Sequence, residues 1–278
     1  MPELPEVETI KNMIKGVLLD SVIEDIEIRQ RKFREVIPDN FEKIAKGAKV
    51  INLKRIAKYM LIDLNNGYTL IWHFGMSGKF KVFSHLPQSL DKHDHIIITT
   101  DKGVLIYNDT RRFGLISFCE SKKIKENRIL GKLGLDPWSE KLNPEYLLGK
   151  FKGKKTPVKL SLLDQEIICG IGNIYASEIL YKARIRPDRA AESIKNDEAE
   201  KIIRYTREIL EESIKAGGST IHDFKRPDGD TGYFQNHLCV YGKAGERCPD
   251  CVCNLKNGGI KKIIMGSRST YFCETLQK

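Results

Sequence analysis

The apolar residues that follow the first few positions of the chain recur at intervals of three and four. This is the spacing of one face of an α-helix, and Pro2 and Pro5 are typical of a helix start. The pattern therefore predicts an amphipathic N-terminal helix. Its apolar positions are Val7, Ile10, Met13, Ile14, Val17 and Leu18.

From about residue 21 to residue 118, the pattern changes to short apolar runs separated by turn residues. The runs 59–64 and 68–73 flank Asn65-Asn66-Gly67, and the runs 95–100 and 104–107 flank Asp101-Lys102-Gly103. Such turns predict two β-hairpins. Because few helical signals interrupt this region, we expect a β-sandwich or barrel that carries one helix.

The second half of the chain returns to helical spacing after a Lys-rich stretch, which we interpret as a linker over 131–155. Helices are expected over 161–166, from 174 to about 182, and from about 197 to 216, where Gly217-Gly218 ends the last one. The Cys-rich tail holds two β-like runs, 260–265 and 269–272. The fold class predicted is α+β, with an N-terminal helix and β-sandwich over 1–130, a helical domain over 156–237 and a β-hairpin domain over 238–278.

The composition indicates a globular chain with a polyanionic partner. The 278 residues include 47 Lys and Arg against 37 Asp and Glu, a net charge of +10, which favours nucleic acid or an anionic membrane. No basic amphipathic helix of the membrane-surface kind is present, and no apolar run approaches the roughly 18 residues of a membrane span. The acidic opening lacks a secretory signal, so a cytoplasmic protein is expected, and seven Cys argue against a disulfide framework.

The first residues also include two candidate catalytic groups. Removal of Met1 would expose the secondary amine of Pro2, whose pKa of roughly 8 leaves a neutral, nucleophilic fraction at pH 7. Such an amine can attack an aldehyde-level carbon and form a cationic iminium, with Glu3 beside it as a general acid or base. The alternative is structural, because Pro2 starts helices well and acidic side chains suit a helix N-terminus.

Three further groups are compatible with nucleic-acid binding or with metal binding. Gly170, Gly172 and Asn173 precede a helix and could present backbone N–H groups to a phosphate, although glycine turns between helices are common. The stretch 107–114 holds paired Arg beside an aromatic residue, and Met76 lies on a Gly-flanked loop, as expected for insertion into a base stack or for simple core packing.

The tail resembles a zinc site that is one ligand short. Cys248 and Cys251 form a C-x2-C pair and Cys273 follows the second β-like run, but Leu276 stands where a fourth Cys would complete a second pair. Cys253 is the remaining candidate ligand. The alternative is a hairpin held by packing, with its thiols kept reduced.

Taken together, these residues resemble the bacterial formamidopyrimidine-DNA glycosylase family, which removes oxidised purines from DNA. The similarity covers the whole chain in order. It is carried by the runs 2–9, 58–59, 73–78, 92–95, 109–114, 170–177 and 240–243. Leu4 distinguishes the chain from the endonuclease VIII branch, which typically has Gly there and acts on oxidised pyrimidines.

The resemblance implies a helix–two-turn–helix motif in the helical domain and a zinc-finger-like C-terminal hairpin, with double-stranded DNA bound in a basic cleft by a monomer. It implies base excision through a Pro2 Schiff base followed by β,δ-elimination, with no cofactor needed for the chemistry. The catalytic residues would be Pro2, Glu3, Lys58 and Arg268. The DNA-binding residues would be His93, Arg111, Lys154 and Asn173 at phosphates, and Met76, Arg111 and Phe113 in the gap left by the flipped base. The loop at about 219–237 would close over that base.

The hairpin departs from the family pattern. About five residues are inserted around 252–257 and Leu276 replaces a Cys, so one structural Zn²⁺ held by Cys248, Cys251, Cys253 and Cys273 is one possibility and a weakly metallated or metal-free hairpin is the other. Two alternatives to the enzyme on oxidised purines stay open. One is the same fold acting on oxidised pyrimidines, and the other is a lesion-binding protein without catalysis, which the intact Pro2, Glu3 and Lys58 disfavour.

Overall fold

The computed structural model describes residues 2–219, 234–251 and 258–278. Within these residues the chain forms two compact units. The N-terminal unit comprises the described residues up to 131 together with those between 214 and 235, and the C-terminal unit comprises those of 132–213 and 236–278. The N-terminal unit therefore includes a segment that follows the long helix of the second half.

The N-terminal unit begins with helix α1 (Leu4–Leu18), as the apolar spacing predicts. Val7, Ile10, Ile14 and Leu18 are fully buried in its core, whereas Met13 and Val17 are half-buried. Eight strands follow, interrupted by a short helix α2 (Phe41–Ala45) that the sequence pattern did not predict. The strands are β1 (Ile23–Ile28), β2 (Val50–Ile56), β3 (Tyr59–Leu64), β4 (Tyr68–His73), β5 (Lys79–Phe83), β6 (Asp94–Thr100), β7 (Gly103–Asn108) and β8 (Leu115–Glu120).

The strands form two four-stranded antiparallel sheets, ordered β1-β6-β7-β5 and β2-β3-β4-β8. Their inward side chains share one apolar core with α1, in which Trp72 of β4 and Tyr107 of β7 meet with ring centroids 5.3 Å apart. Gly67, at φ +83°, closes the β3–β4 hairpin at the turn that the sequence predicts. The expected helix with a β-sandwich is confirmed.

The C-terminal unit contains four helices and one hairpin. They are α3 (Pro144–Phe151), α4 (Val158–Leu163), α5 (Asn173–Ala183), α6 (Asn196–Lys215), β9 (Lys261–Met265) and β10 (Arg268–Phe272). Helix α4 lies three residues before its expected position of 161–166, which is wrong as a boundary because Pro157 precedes its first turn and Asp164 ends it. The span 131–155 contains α3, where Pro144 and the Asn143 side chain, which accepts the Tyr146 N–H at 2.8 Å, supply a helix start.

The predicted ends of the long helix and the tail hairpin are also observed. Gly217 and Gly218 follow α6 with φ of +77° and +80°, the left-handed conformation that glycine adopts readily after a helix. Strands β9 and β10 pair antiparallel through a turn at Gly266 and Ser267. Across the described residues, no helix is both long enough and apolar enough to span a bilayer.

Candidate functional site

Pro2 and Glu3 are buried at the start of α1, where Glu3 is the N-cap residue and only 2% exposed. The Glu3 backbone N–H donates to Glu6 Oε2 at 2.9 Å, so the Glu6 side chain holds the first turn as in a capping box. Glu6 Oε1 also accepts the backbone N–H of Ser219 at 2.8 Å and its hydroxyl at 3.0 Å. One buried carboxylate therefore ties the helix start to the segment that ends at Ser219.

The loop expected to close over the extruded base, 219–237, lies mostly outside the described residues, which omit 220–233. Its described ends are held together, since the Phe234 N–H donates to the Gly218 carbonyl at 3.2 Å. Phe234 is buried. The base of this loop is thus anchored within the N-terminal unit beside Glu6.

Lys58 lies at the tip of the hairpin that joins β2 to β3, and its side chain is largely buried. The preceding Ala57 has φ +53°, as tight two-residue turns between strands require. Arg55 Nε donates to Glu8 Oε2 on α1 at 2.9 Å, and Arg55 Nη1 donates to the Ala57 carbonyl at 3.2 Å. Arg55 therefore links the helix that starts at the candidate nucleophile to the turn that carries Lys58.

His73, which the sequence analysis did not single out, lies beside this turn. Its ring centroid is 4.8 Å from that of Tyr59, and its Nδ1 accepts the Gly75 N–H at 3.0 Å, which places the ring proton of the neutral form on Nε2. Burial, and then the positive charges of Lys58 and Arg34, lower the pKa of His73 to about 4. The neutral His73 ring therefore lies within the electrostatic influence of two cations, Lys58 and Arg34.

This lowered pKa predicts acid sensitivity. Between pH 6.5 and pH 4, His73 is protonated in the unfolded chain but stays neutral in the folded chain. The free energy of unfolding therefore falls as pH falls through this window. At pH 4.5 we expect a loss of about 2.5 kcal/mol relative to pH 7 from this group. Urea unfolding of H73Q at the two pH values should show a correspondingly smaller pH dependence. The matched control is H85Q, which changes an exposed histidine, and equal pH dependence of H73Q and the wild type would refute the assignment.

A fully buried carboxylate organises the loop after β7. Asp109 is 0% exposed, and its two oxygens accept hydrogen bonds from the hydroxyls of Ser77 and Tyr107 and from the backbone of Arg111 and Gly114. The distances are 2.5 Å to Ser77 Oγ, 3.4 Å to Tyr107 Oη, 3.2 Å to the Arg111 nitrogen and 2.9 Å to the Gly114 nitrogen. Asp109 thereby fixes the course of 109–114 against the loop 74–78.

The two loops touch through their backbones and present apolar tips. Gly75 has φ +62°, and a Cβ there would lie 2.3 Å from the carbonyl carbon of Phe113, so only glycine allows this approach. Met76 is 37% exposed and Phe113 46% exposed, so two large apolar side chains face solvent on these adjoining loops. The Arg111 guanidinium lies 4.9 Å from the Phe113 ring centroid. The three residues expected to fill the gap in a base stack therefore lie on adjoining loops.

His93, expected at a phosphate, is partly exposed just before β6. The next residue, Asp94, is buried and accepts hydrogen bonds from Lys81 Nζ and from Asn108 Nδ2, both at 2.8 Å. Burial alone would raise the pKa of Asp94, but these donors and the Asp91 N–H outweigh it and lower the pKa. This network holds the chain on both sides of His93.

In the C-terminal unit, the expected DNA-binding and catalytic residues have different surroundings. Lys154 is partly exposed, with its Nζ 3.4 Å from Asp164 Oδ2. Asn173 begins α5, and its Nδ2 donates to the Ser269 carbonyl at 2.9 Å. Arg268 is exposed at the first position of β10, next to Ser269. The structure thus brings Asn173 and the Arg268 strand together and leaves Lys154 paired elsewhere.

Two buried charged residues in this unit were missed by sequence reasoning. Lys159 of α4 is 0% exposed and donates to oxygens of Asn173 and Thr270, both at 2.7 Å. Glu178 of α5 is 3% exposed and accepts the backbone N–H groups of residues 239, 240 and 241 at 2.8, 3.0 and 2.8 Å. The only local signal was a charged residue among apolar neighbours.

Three of the four expected metal ligands lie together. The Sγ atoms of Cys248, Cys251 and Cys273 are all within 4.8 Å of one another, at 3.1 Å for the first pair and 3.6 Å between Cys251 and Cys273. Leu276 packs against the same cluster with its hydrocarbon side chain. Cys253 lies outside the described residues. The thiols fit a soft divalent ion, and the cluster can supply three of its ligands.

Comparison with known proteins places this geometry in context. Residues 1–116 match the family model described as the formamidopyrimidine-DNA glycosylase N-terminal domain. Residues 133–225 match the model described as the formamidopyrimidine-DNA glycosylase H2TH domain. The two matches cover parts of both units.

Individual proteins are similar over their full length. The formamidopyrimidine-DNA glycosylase of Rickettsia conorii is 41% identical over 278 residues, covering 100% of this chain and 99% of the relative. A solved complex between a Lactococcus lactis Fpg mutant and DNA containing Fapy-dG has a TM-score of 0.90 at 30% identity and covers 100% of both chains. The MutM (Fpg) protein of Thermus thermophilus has a TM-score of 0.87 at 32% identity, covering 99% of this chain and 98% of its own.

Proposed function

The chain belongs to the formamidopyrimidine-DNA glycosylase family, a family of glycosylase and AP lyase enzymes that act on damaged DNA in base excision repair, and we propose that it excises oxidised purines through Pro2. The observation that carries the proposal is the arrangement at the start of α1. Pro2 and Glu3 head this helix, and Arg55 ties the helix to the turn of Lys58. A nucleophile, a proton donor and a cation are thereby supported by one unit.

The reaction follows from these groups. After removal of Met1, the Pro2 nitrogen bonds to C1′ while the glycosidic bond breaks. The base leaves with the electron pair and takes up one proton, and the Pro2 nitrogen gives up its N–H proton, so this exchange consumes no net proton. Glu3 donates a proton to the ring oxygen as the sugar opens to an iminium. Loss of the C2′ proton then expels the 3′ phosphate with help from Lys58, and loss of the C4′ proton expels the 5′ phosphate with help from Arg268.

The remaining residues would hold the DNA, and a monomer suffices for this. His93, Arg111, Lys154 and Asn173 are proposed at phosphates, and the site beside Lys58 adds the Nε2–H of His73. Met76 and Phe113, exposed on loops that Asp109 fixes, would fill the gap left by the flipped nucleotide. This role explains why large apolar side chains face solvent at these two positions.

The substrate class can be tested with a panel of duplexes. Each duplex would carry a single lesion, either 8-oxoguanine, a formamidopyrimidine or an oxidised pyrimidine, and one duplex would carry none. Strand incision would be followed in single turnover. We expect both purine lesions to be incised at least about tenfold faster than the oxidised pyrimidine. Faster incision of the pyrimidine would reassign the substrate, and tight lesion binding without incision would identify a binding protein. The pyrimidine arm is informative because the Lactococcus lactis enzyme has also been solved with DNA containing an oxidised pyrimidine.

For the cysteine cluster, we propose a weakly held Zn²⁺ that would only shape the hairpin. Cys248, Cys251 and Cys273 would bind it, with Cys253 as the candidate fourth ligand, and Leu276 offers no donor atom. Because Leu276 occupies the usual fourth position and Cys253 lies only two residues after Cys251, a spacing that strains a tetrahedral site, the zinc should be bound less tightly than by two C-x2-C pairs.

This proposal predicts easy metal loss. Protein purified without added zinc and then dialysed against EDTA should contain well under one zinc per chain by elemental analysis. The partly exposed Cys251 thiol should then react with a thiol reagent, because no tightly bound metal protects it, whereas the buried Cys248 and Cys273 should react slowly. Restoring a fourth ligand by L276C should raise zinc retention under the same dialysis. One zinc per chain that survives EDTA in the wild type would contradict the proposal.

A further inference from the structure

Lys159 is a lysine without solvent access on the short helix α4. Its ammonium group donates to three oxygens, Asn173 Oδ1 at 2.7 Å, Thr270 Oγ1 at 2.7 Å and the Ser269 carbonyl at 3.3 Å. A buried ammonium is costly unless hydrogen bonds replace its hydration. This cost indicates that the hydrogen bonds of Lys159 have a role that an apolar side chain at this position could not fill.

The three acceptors lie on two elements, the first turn of α5 and strand β10. Asn173 closes the group, because its Nδ2 donates to the same Ser269 carbonyl at 2.9 Å. Ser269 and Thr270 are the two residues that follow Arg268. The Lys159 network therefore holds the strand directly after the residue proposed to assist the second elimination.

The hairpin tip is held from the same helix. The turn between β9 and β10 is formed by Gly266 and Ser267, with φ of +53° and +60°, so the strands are joined by only two residues. A Cβ on Gly266 would lie 2.8 Å from Leu160 Cδ2, which means that the turn lies directly on α4. Arg268 is thus flanked by two contacts to neighbouring residues of one helix, Leu160 before it and Lys159 after it.

The thiol cluster acts at the other end of this strand. Cys273 follows β10, five residues and therefore about 16 Å of extended chain beyond Arg268. The turn after Cys273 has its own support, because Gln277 accepts the Cys273 N–H and donates to the Ile185 carbonyl, both at 2.7 Å. A metal at the thiols is far along the strand from Arg268, whereas Lys159 acts next to it.

We propose that Lys159 is the positioning residue for Arg268, and that its network keeps Arg268 in place whether or not the cysteine cluster holds a metal. The inference rests on the proposed function, because it takes Arg268 as the residue that assists δ-elimination. It goes beyond that function by assigning the placement of Arg268 to a buried lysine and not to the metal.

The test measures how the products of one incision reaction divide. Wild type, K159M and R268Q would be run in single turnover on a duplex with an abasic site, and the β- and β,δ-elimination products would be separated. We expect K159M to lower the ratio of β,δ to β product by about tenfold, towards that of R268Q. Borohydride trapping on Pro2 should stay close to wild type. General destabilisation would lower trapping and both products together, so the ratio reports positioning.

Matched variants control for charge and folding. K152M removes an exposed lysine at the end of α3 and should leave the ratio unchanged. T270V removes one acceptor of Lys159 while keeping the side-chain shape. It should also lower the ratio of β,δ to β product, by a smaller factor than K159M. If K159M does not fold, T270V tests whether the Lys159 network positions Arg268. Equal ratios in K159M, T270V and K152M would overturn the inference.

The metal arm uses the full-length wild type treated with EDTA and 1,10-phenanthroline, with its metal content measured. We expect an unchanged product ratio, and loss of the β,δ product on metal removal would overturn the inference. Failure of the inference and failure of the proposed function give different results. If untreated wild type forms a Pro2 adduct but no δ product, the proposed role of Arg268 fails; if it forms no adduct at all, the proposed function itself fails.

Discussion

Replacing Pro2 by glycine is expected to reduce the borohydride-trapped adduct with 8-oxoguanine DNA by at least about 100-fold, since loss of a catalytic nucleophile can cost up to about 10⁶-fold in rate. The secondary amine of proline forms an iminium that carries a permanent positive charge. The primary amine of glycine forms an imine that must first be protonated, and it lacks the ring that fixes its direction. The measurement is trapping in single turnover, with mass spectrometry of the adducted peptide.

The control for this result is P87G, the same substitution in the loop between β5 and β6, which should trap at the wild-type rate. A second arm keeps Met1 by an uncleaved N-terminal extension. This turns the Pro2 nitrogen into an amide without a free electron pair, so trapping should vanish although the side chain is unchanged. Persistent trapping in the extended protein, or an adduct mapped to a lysine, would show that Pro2 is not the nucleophile.

Replacing Asp109 by alanine is expected to lower the free energy of unfolding by about 3 kcal/mol. The substitution leaves the Ser77 hydroxyl and the Gly114 N–H without their carboxylate acceptor, whereas the Arg111 N–H still donates to Ser77 Oγ at 3.0 Å; each such loss costs about 1–3 kcal/mol before relaxation or water entry. Because the same carboxylate fixes 109–114 against the loop 74–78, affinity for DNA with an abasic-site analogue should also fall, by roughly tenfold. Urea unfolding and fluorescence anisotropy measure the two effects.

D91A serves as the control for D109A. The Asp91 side chain is 74% exposed and pairs with Lys81 at the surface, so its loss should change stability by no more than about 0.5 kcal/mol. DNA affinity should also be near that of the wild type. Equal stability of D109A and D91A would mean that the loop does not depend on the buried carboxylate.

Local patterning predicted the elements that carry the site. The helical spacing from Val7 to Leu18 and the turn at 65–67 are properties of neighbouring residues, so they could be read directly and are found in α1 and in the β3–β4 hairpin. The boundary of α4 was misplaced and helix α3 was not predicted, although the start signals of both helices are also local. A run of lysines hid the start signal at Asn143 and Pro144.

The candidate site residues were named from motifs, but motifs do not show what holds them. His73 was noted only as part of the runs 68–73 and 73–78, and its lowered pKa arises from burial and from cations distant in sequence, Lys58 and Arg34. Glu178 likewise contributes through three backbone N–H groups some sixty residues away. Such roles depend on contacts that no periodicity records.

The sequence by itself determined the family, the presence of Pro2 and Glu3 at the positions proposed here for nucleophile and proton donor, and the loss of one expected zinc ligand at Leu276, because each is a matter of residue type at a given position. The tertiary structure decided how these parts are supported. It joined Arg55 to Glu8, Ser77 to Asp109 and Lys159 to Thr270 across separations of 47, 32 and 111 residues. The physical reason is that a buried charge is stable only where the fold supplies its hydrogen-bond partners, and those partners are set by packing, not by sequence neighbours.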